Sequence, residues 1–160
     1  MLILVKNDID MIDIEKEFMN SNIEYNLIAY GKEVLENDDI LEIIKESEEL
    51  QIERYFIKKD NEFIGILDFG MSSPRHNKPW LSLLAVHKKY QNLGYAKEIF
   101  KLYERLMRNK QVNVIQIAVH STNKKALHFW TSLGFIKFDE RTYEGQVFIS
   151  LEKELEQVIL

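Results

Sequence analysis

The stretch from Trp80 to Met107 constrains this chain more than any other, because an apolar run, a short polar turn and an amphipathic run follow one another without interruption. Leu81, Leu83 and Ala85 alternate with Trp80, Ser82, Leu84 and Val86, so the first run is apolar almost throughout, as in a strand covered on both faces near the middle of a sheet. Ala96, Ile99, Phe100, Tyr103, Leu106 and Met107 then fall on one face of a helix, which must pack back on that sheet. Between them lies Gln91-Asn92-Leu93-Gly94-Tyr95-Ala96. The first N–H groups of a helix have no internal partner and sit at the positive end of its dipole, so such a turn suits a phosphate. Gly94 has no Cβ to hold a phosphate oxygen off the backbone, and Ala96 keeps the first helical turn uncrowded.

A second strand-to-helix step follows. Val112 to Val119 is rich in β-branched residues, and after His120-Ser121-Thr122-Asn123 a helix carries Ala126, Leu127, Trp130 and Leu133 on one face. Ser121 or Thr122 is the expected cap of its start, and Gly134 suits the left-handed position after its end. Phe135 to Phe138 returns to strand. Leu2 to Val5, Tyr55 to Lys58 and Phe63 to Phe69 also read as strands, and Ile9 to Met19 and Val34 to Ile44 as helices. Val147, Ile149 and Leu151 alternate after Glu144-Gly145, which turns an antiparallel hairpin back toward Phe135 to Phe138. A mixed α/β sheet with antiparallel edges results.

Gln91, Gly94 and Ala96 resemble the pyrophosphate loop of the GCN5-related N-acetyltransferase (GNAT) family. Asn123, Ala126, Phe129, Trp130, Leu133, Gly134 and Phe135 are similar to its later motif, so the resemblance spans residues 80 to 138. It implies one acyl-CoA N-acyltransferase domain over residues 1–160, a mixed sheet flanked by helices, with acetyl-CoA as cofactor. The family places the thioester carbonyl against backbone N–H groups around Leu84, Ala85 and Val86. Its pyrophosphate site corresponds to Gln91, Asn92, Leu93, Gly94, Tyr95, Ala96 and Lys97. Asn123, Ala126, Phe129 and Trp130 would border the rest of the cofactor; Asn123 reads equally well as a helix cap, and Phe129 and Trp130 as core aromatics.

With 160 residues, 46% of them hydrophobic, the chain has enough apolar side chains for one compact domain, and it shows no linker, repeat or low-complexity run. The absence of Cys excludes a disulfide framework and a Cys nucleophile, in keeping with the direct transfer that the resemblance implies. The apolar start is too short for a signal sequence or a membrane span, so the expected location is cytoplasmic, with no membrane partner. His76, His87, His120 and His128 lack metal-ligand spacing; no metal is expected, and His87 and His128 are expected to face solvent. The dinucleotide and P-loop glycine strings do not occur.

Charge is unevenly spread. Residues 86–125 carry nine Lys or Arg against Glu98 and Glu104, a net +7 in a chain of net −5, whereas residues 1–62 hold 17 acidic and seven basic side chains. A polyanionic cofactor fits the basic segment, with Lys88, Lys89 and Lys124 the best placed for phosphate, and the acidic part would attract a cationic amine. Lys97, Lys101, Arg105 and Arg108 also read as the solvated face of the helix. The acidic total and the lack of a recognised motif argue against nucleic acid. The expected partner is therefore a small-molecule or peptide amine; a homodimer is left open.

Acetyl transfer to an amine requires a base for an ammonium whose ordinary pKa is about 10.4, and benefits from an acid for the leaving thiolate. At the central-strand positions where family members often carry His or Glu, this chain has Trp80 and Ser82, neither a base. Ser82 could hold a relay water and Asp68, in an otherwise apolar strand, could take the proton; Asp68 also reads as an exposed or paired carboxylate near a strand end. Glu24 and Tyr25 are alternatives. The family's Tyr acid is replaced by Trp130, whose indole is no proton donor, and Tyr143 is the expected substitute, or a packing residue. Two other readings stay open: a CoA-binding sensor or interaction module with little catalysis, and an acetyltransferase for peptide or protein N-termini.

Overall fold

A computed structural model describes residues 1–156. The elements are β1 (Ile3–Lys6), α1 (Ile12–Asn20), α2 (Ile23–Tyr30), α3 (Asn37–Glu49), β2 (Glu53–Lys59), β3 (Glu62–Gly70), β4 (Trp80–Val86), α4 (Tyr95–Asn109), β5 (Val114–His120), α5 (Lys124–Ser132), β6 (Ile136–Tyr143) and β7 (Gln146–Glu154). The strands form one seven-stranded sheet in the order β1-β2-β3-β4-β5-β7-β6. Among the described residues only β4 and β5 pair in parallel. The fold is the mixed α/β sheet with antiparallel edges expected from the sequence.

Each face of the sheet is covered. On one, Ile99, Phe100, Tyr103 and Met107 of α4 and Trp130 of α5 pack on Ile57, Leu67, Leu81, Ile115 and Leu151. On the other, Phe18 and Met19 of α1 and Ile40 of α3 pack on Phe56 and Ile66, with Leu83 and Ala85 against them. Adjacent pairs such as Phe56 and Ile57, or Ile66 and Leu67, thus send one side chain to each core, as the period-two geometry of a strand requires.

The alternation expected along β4 does not hold. Asp68 pairs with Leu83 but Phe69 pairs with Leu81, so Ser82 is an extra residue on β4, a β-bulge. The parity flips there: Leu81, Leu84 and Val86 join the α4 side, and Leu83 and Ala85 the α1–α3 side. Period-two counting cannot anticipate such a shift, because the bulge is set by pairing with β3 and leaves no residue-type signature in an apolar strand.

Other boundaries differ as well. The Val34 to Ile44 helix begins at Asn37 and runs to Glu49, because the Glu36 side chain and the Asp39 carboxylate form a reciprocal capping box that fixes its start. The helix expected from Ile9 opens instead with a 3-10 turn at Ile9–Met11. Helix α2 has no counterpart among the elements expected from the sequence. Asn123, not Ser121 or Thr122, caps α5 by accepting the Ala126 N–H at 3.1 Å. Gly134 is left-handed as expected, and Glu144 and Gly145 both take positive φ in the β6–β7 turn.

Phe100 joins the two motif helices. It is 1% exposed and meets Trp130 and Phe135 edge-on at ring-centroid distances of 5.6 and 5.7 Å. Phe100→Ala is expected to destabilise the protein by about 3–5 kcal/mol, a loss to be read from denaturant unfolding. A loss below about 1 kcal/mol would mean that α4 and α5 are held by other contacts.

Candidate active site

β4 and β5 pair at one residue pair only, Trp80 with Gln116, where the Gln116 N–H bonds to the Pro79 carbonyl at 3.0 Å. Beyond it the ladder stops, so the edge of β4 from Ser82 to Val86 has no backbone partner on β5. The sheet is split in its middle, and N–H groups along the split can meet something inserted there.

At the carboxyl end of β4 the chain enters the loop to α4. Gly94 has φ +85°, and a Cβ built on it would meet nothing within 4 Å. No side chain among the described residues caps α4, so the N–H groups of its first turn lack a side-chain acceptor at the positive end of the helix dipole. The Gln91 side chain turns inward instead: its Nε2 donates to the Val86 carbonyl at 2.9 Å and to Asn22 Oδ1. Gln91 therefore shapes the loop and ties it to β4. His87, expected at the surface, has a side chain only 16% exposed; it accepts the Lys89 N–H and bonds Glu17 of α1 at 2.9 Å.

On the α1–α3 side, the split is the floor of a cleft of about 380 Å³. Ser82 and Leu83 of β4, consecutive residues brought to one side by the bulge, line it with Gln116, Ile117 and Ala118 of β5. Asp68, Tyr25 and Trp80 also line it, as do Phe148 of β7 and Arg141 and Tyr143 of β6. The Trp80 Nε1 is buried and hydrogen-bonded to none of the described residues. A wider groove of about 640 Å³ runs along α4 near Met1 and Lys59, away from both the loop and the split.

Asp68 is buried, not exposed, and belongs to a charged triad that the sequence did not reveal. Arg54 Nε lies 3.3 Å from Asp68 Oδ2, its Nη2 bonds Glu15 Oε2, and Asn7 donates to the other Glu15 oxygen at 3.0 Å. Burial pushes the Asp68 carboxyl up to about 7; Arg54 opposes the shift and the nearby Glu15 charge adds to it. Burial, and then the Asp68 charge, also push the Tyr25 phenol up to about 12, so Tyr25 is a hydrogen-bond donor at neutral pH rather than a base.

Three side chains named from the sequence as catalytic candidates, Ser82, Asp68 and Tyr143, thus share one cleft, although Tyr143 sits on β6, two strands beyond β5. Tyr25 joins them, whereas Glu24 is exposed on α2 and outside the cleft. Trp130 is 8% exposed and packed among Phe100, Phe129 and Phe135, which makes it a core residue. Lys88, Lys89, Lys97 and Lys124 are exposed around the loop and the start of α5. Arg54 and Glu15 went unnoticed because they lie far from Asp68 in sequence, and nothing local marks a charge for burial.

A model of the acetyltransferase (GNAT) family matches residues 13–135. The chain is 26% identical over 94 residues to an uncharacterized N-acetyltransferase in the pepI 3' region of Lactobacillus delbrueckii subsp. lactis, a match that takes in 56% of this chain and 54% of that one. The structure resembles an acetyltransferase from Thermus thermophilus with a TM-score of 0.80 at 18% identity, covering 96% of this chain and 97% of that one. It also resembles spermidine N-acetyltransferase from Vibrio cholerae, solved with CoA and spermine, with a TM-score of 0.73 at 14% identity over 96% and 95% of the two chains.

The raised Asp68 pKa has a definite sign in stability. Between its ordinary value near 3.8 and about 7 the folded protein holds a proton that the unfolded chain releases, so Asp68 makes the fold less stable as pH rises through that window. Asp68→Asn removes this dependence. The stability difference between variant and wild type, measured by urea unfolding, is expected to shift in favour of the variant from pH 4 to pH 8; a constant difference would place the Asp68 pKa near its ordinary value.

Proposed function

The chain belongs to the acetyltransferase (GNAT) family, and from that membership we propose that it transfers an acetyl group from acetyl-CoA directly to a primary amine. The observation that carries the reading is the split between β4 and β5, which joins the uncapped start of α4 to a cleft bearing an acidic residue.

In this reading the α4 N-terminus and the open face of Gly94 receive the pyrophosphate, with Lys88, Lys89 and Lys124 nearby. Backbone N–H groups from Leu84 to Val86 polarise the thioester carbonyl. Asn123 borders the pantetheine arm while capping α5. Acetyl-CoA supplies the activated acetyl group; amine nitrogen forms a bond to the carbonyl carbon as the carbon–sulfur bond breaks. The amine proton passes through water held by Ser82 to Asp68, whose pKa of about 7 suits a base at neutral pH. Arg54 and Glu15 act behind Asp68 as positioning residues. A thiol of ordinary pKa about 8.5 can leave as thiolate, and Tyr143 is the candidate to protonate it. The burial of Trp130 at the family's acid position favours one alternative, a CoA-binding module with little catalysis.

Release of CoA thiol on mixing the protein, acetyl-CoA and a panel of amines tests the proposal; no release with any amine, peptide N-termini included, would leave only the binding module. Gly94→Asp is expected to keep the fold, since Asp tolerates left-handed backbone and no atom lies within 4 Å. It should abolish acetyl-CoA binding in calorimetry through bulk and like charge, and unchanged affinity would refute the loop assignment. Ser82→Ala and Asp68→Asn are expected to lower kcat by about 10²-fold or more with little change in acetyl-CoA affinity. Equal losses in both quantities would indicate packing roles.

A further inference from the structure

The acceptor cleft is lined by acidic side chains toward β3 and by basic side chains toward β6. Asp68 and Glu46 are the acidic ones, and Arg75, His76 and Arg141 the basic ones. Of the 17 acidic side chains in residues 1–62, Glu46 alone lines the cleft; Glu15 is linked to it only through Arg54 and Asp68. The acidic excess of that part of the chain is therefore mostly turned to other surfaces and does not make the cleft a trap for polycations.

The basic side is built by the segment between β3 and β4. Ser73 Oγ accepts the N–H groups of His76 and Lys78 at 3.3 and 3.2 Å, which folds the segment over the strand ends. Asp139 of β6 then anchors it, with Arg75 Nη2 at 3.3 Å and His76 Nε2 at 3.1 Å, while the His76 ring packs on Phe138 at 4.9 Å. Asp139 is thus shared by two basic groups. Arg141, two residues further along β6, forms no ion pair among the described residues; its guanidinium lies 5.4 Å over the Tyr143 ring. Phe148, paired with Arg141 across the β6–β7 ladder, lines the cleft between this arginine and the split.

Resting on the acetyltransferase reading, we infer that the acceptor is a small zwitterion, an amine whose chain ends in a carboxylate that Arg141 binds, Arg75 and His76 being already engaged by Asp139. β6 lies two strand spacings from β5, about 10 Å, and an arginine side chain spans part of that distance. Several bonds therefore separate the reacting nitrogen, at Ser82 and Asp68, from the carboxylate. An ω-amino acid or a comparable chain fits; a diamine would set a second ammonium against Arg141, a like-charge contact that rejects it.

The test is acetylation kinetics, read as CoA release, on three matched series of graded length: ω-amino acids, their carboxamides and the corresponding diamines. For the wild type, kcat/KM is expected to be at least about tenfold higher for the acid than for its carboxamide, as for a charge-assisted hydrogen bond, and lowest for the diamine. Arg141→Ala is expected to raise KM for the acids by about the same factor and to lower the acid-over-carboxamide ratio of kcat/KM toward one, and Arg141→Glu to shift the preference to diamines. Turnover without preference for the acids, or an Arg141→Ala variant that handles all three series equally worse, overturns this inference alone. No turnover in any series, with acetyl-CoA bound, overturns the acetyltransferase reading and this inference with it.

Discussion

The rest of the structure depends on the separation of β4 from β5 after a single residue pair. Breaking a ladder in the middle of a sheet leaves backbone donors and acceptors unpaired, which water or a ligand must then satisfy. The remaining architecture makes the break tolerable. Gln91 covers the Val86 carbonyl at the end of the split strand, and the Trp80–Gln116 pair closes its base. Helices α4 and α5, joined through Phe100, Trp130 and Phe135, keep the two halves of the sheet on one core. The bulge at Ser82 turns two consecutive β4 residues toward the cleft. The loop before α4 at one end and the cleft on one face are therefore two consequences of the same interruption.

Behind the cleft, the Glu15–Arg54–Asp68 triad sets the electrostatics. Two carboxylates and one guanidinium in a buried site carry a net negative charge, and the low polarity of the surroundings is relieved by holding a proton on Asp68 up to about neutral pH. Replacing a buried ion-pair network by apolar residues of similar size is often neutral or stabilising, so the triad is weak evidence for a role in folding alone. Trp80 and Ser82 on β4 do not titrate near neutral pH, whereas Asp68, one strand away on β3, does.

What was legible in the sequence follows from the range of the interactions involved. The strand, turn and helix from Trp80 to Met107 and the helix before Gly134 were readable because apolar periodicity and helix-end chemistry are local. Ser82, Asp68 and Tyr143 could be named, and they do share a cleft, although the pairing of Asp68 with Arg54 could not be foreseen. Helix α2 was missed because its exposed face carries Ile23, Leu27 and Tyr30, which blurs the amphipathic pattern. The β4 bulge, the inward turn of Gln91 and His87, and the clustering of Arg75, His76 and Arg141 around Asp139 all arise from contacts between distant segments.

Thermal unfolding with and without saturating acetyl-CoA, with NADH and ATP as controls, tests most directly whether the split and the α4 N-terminus form an acyl-CoA site. At a ligand concentration about 100 times Kd the stabilisation is about 2.7 kcal/mol, which for a domain of this size is a rise in Tm of roughly 5 to 10 °C. A rise of that order with acetyl-CoA and none with the controls is the expected result; no rise at any concentration of acetyl-CoA would contradict the account.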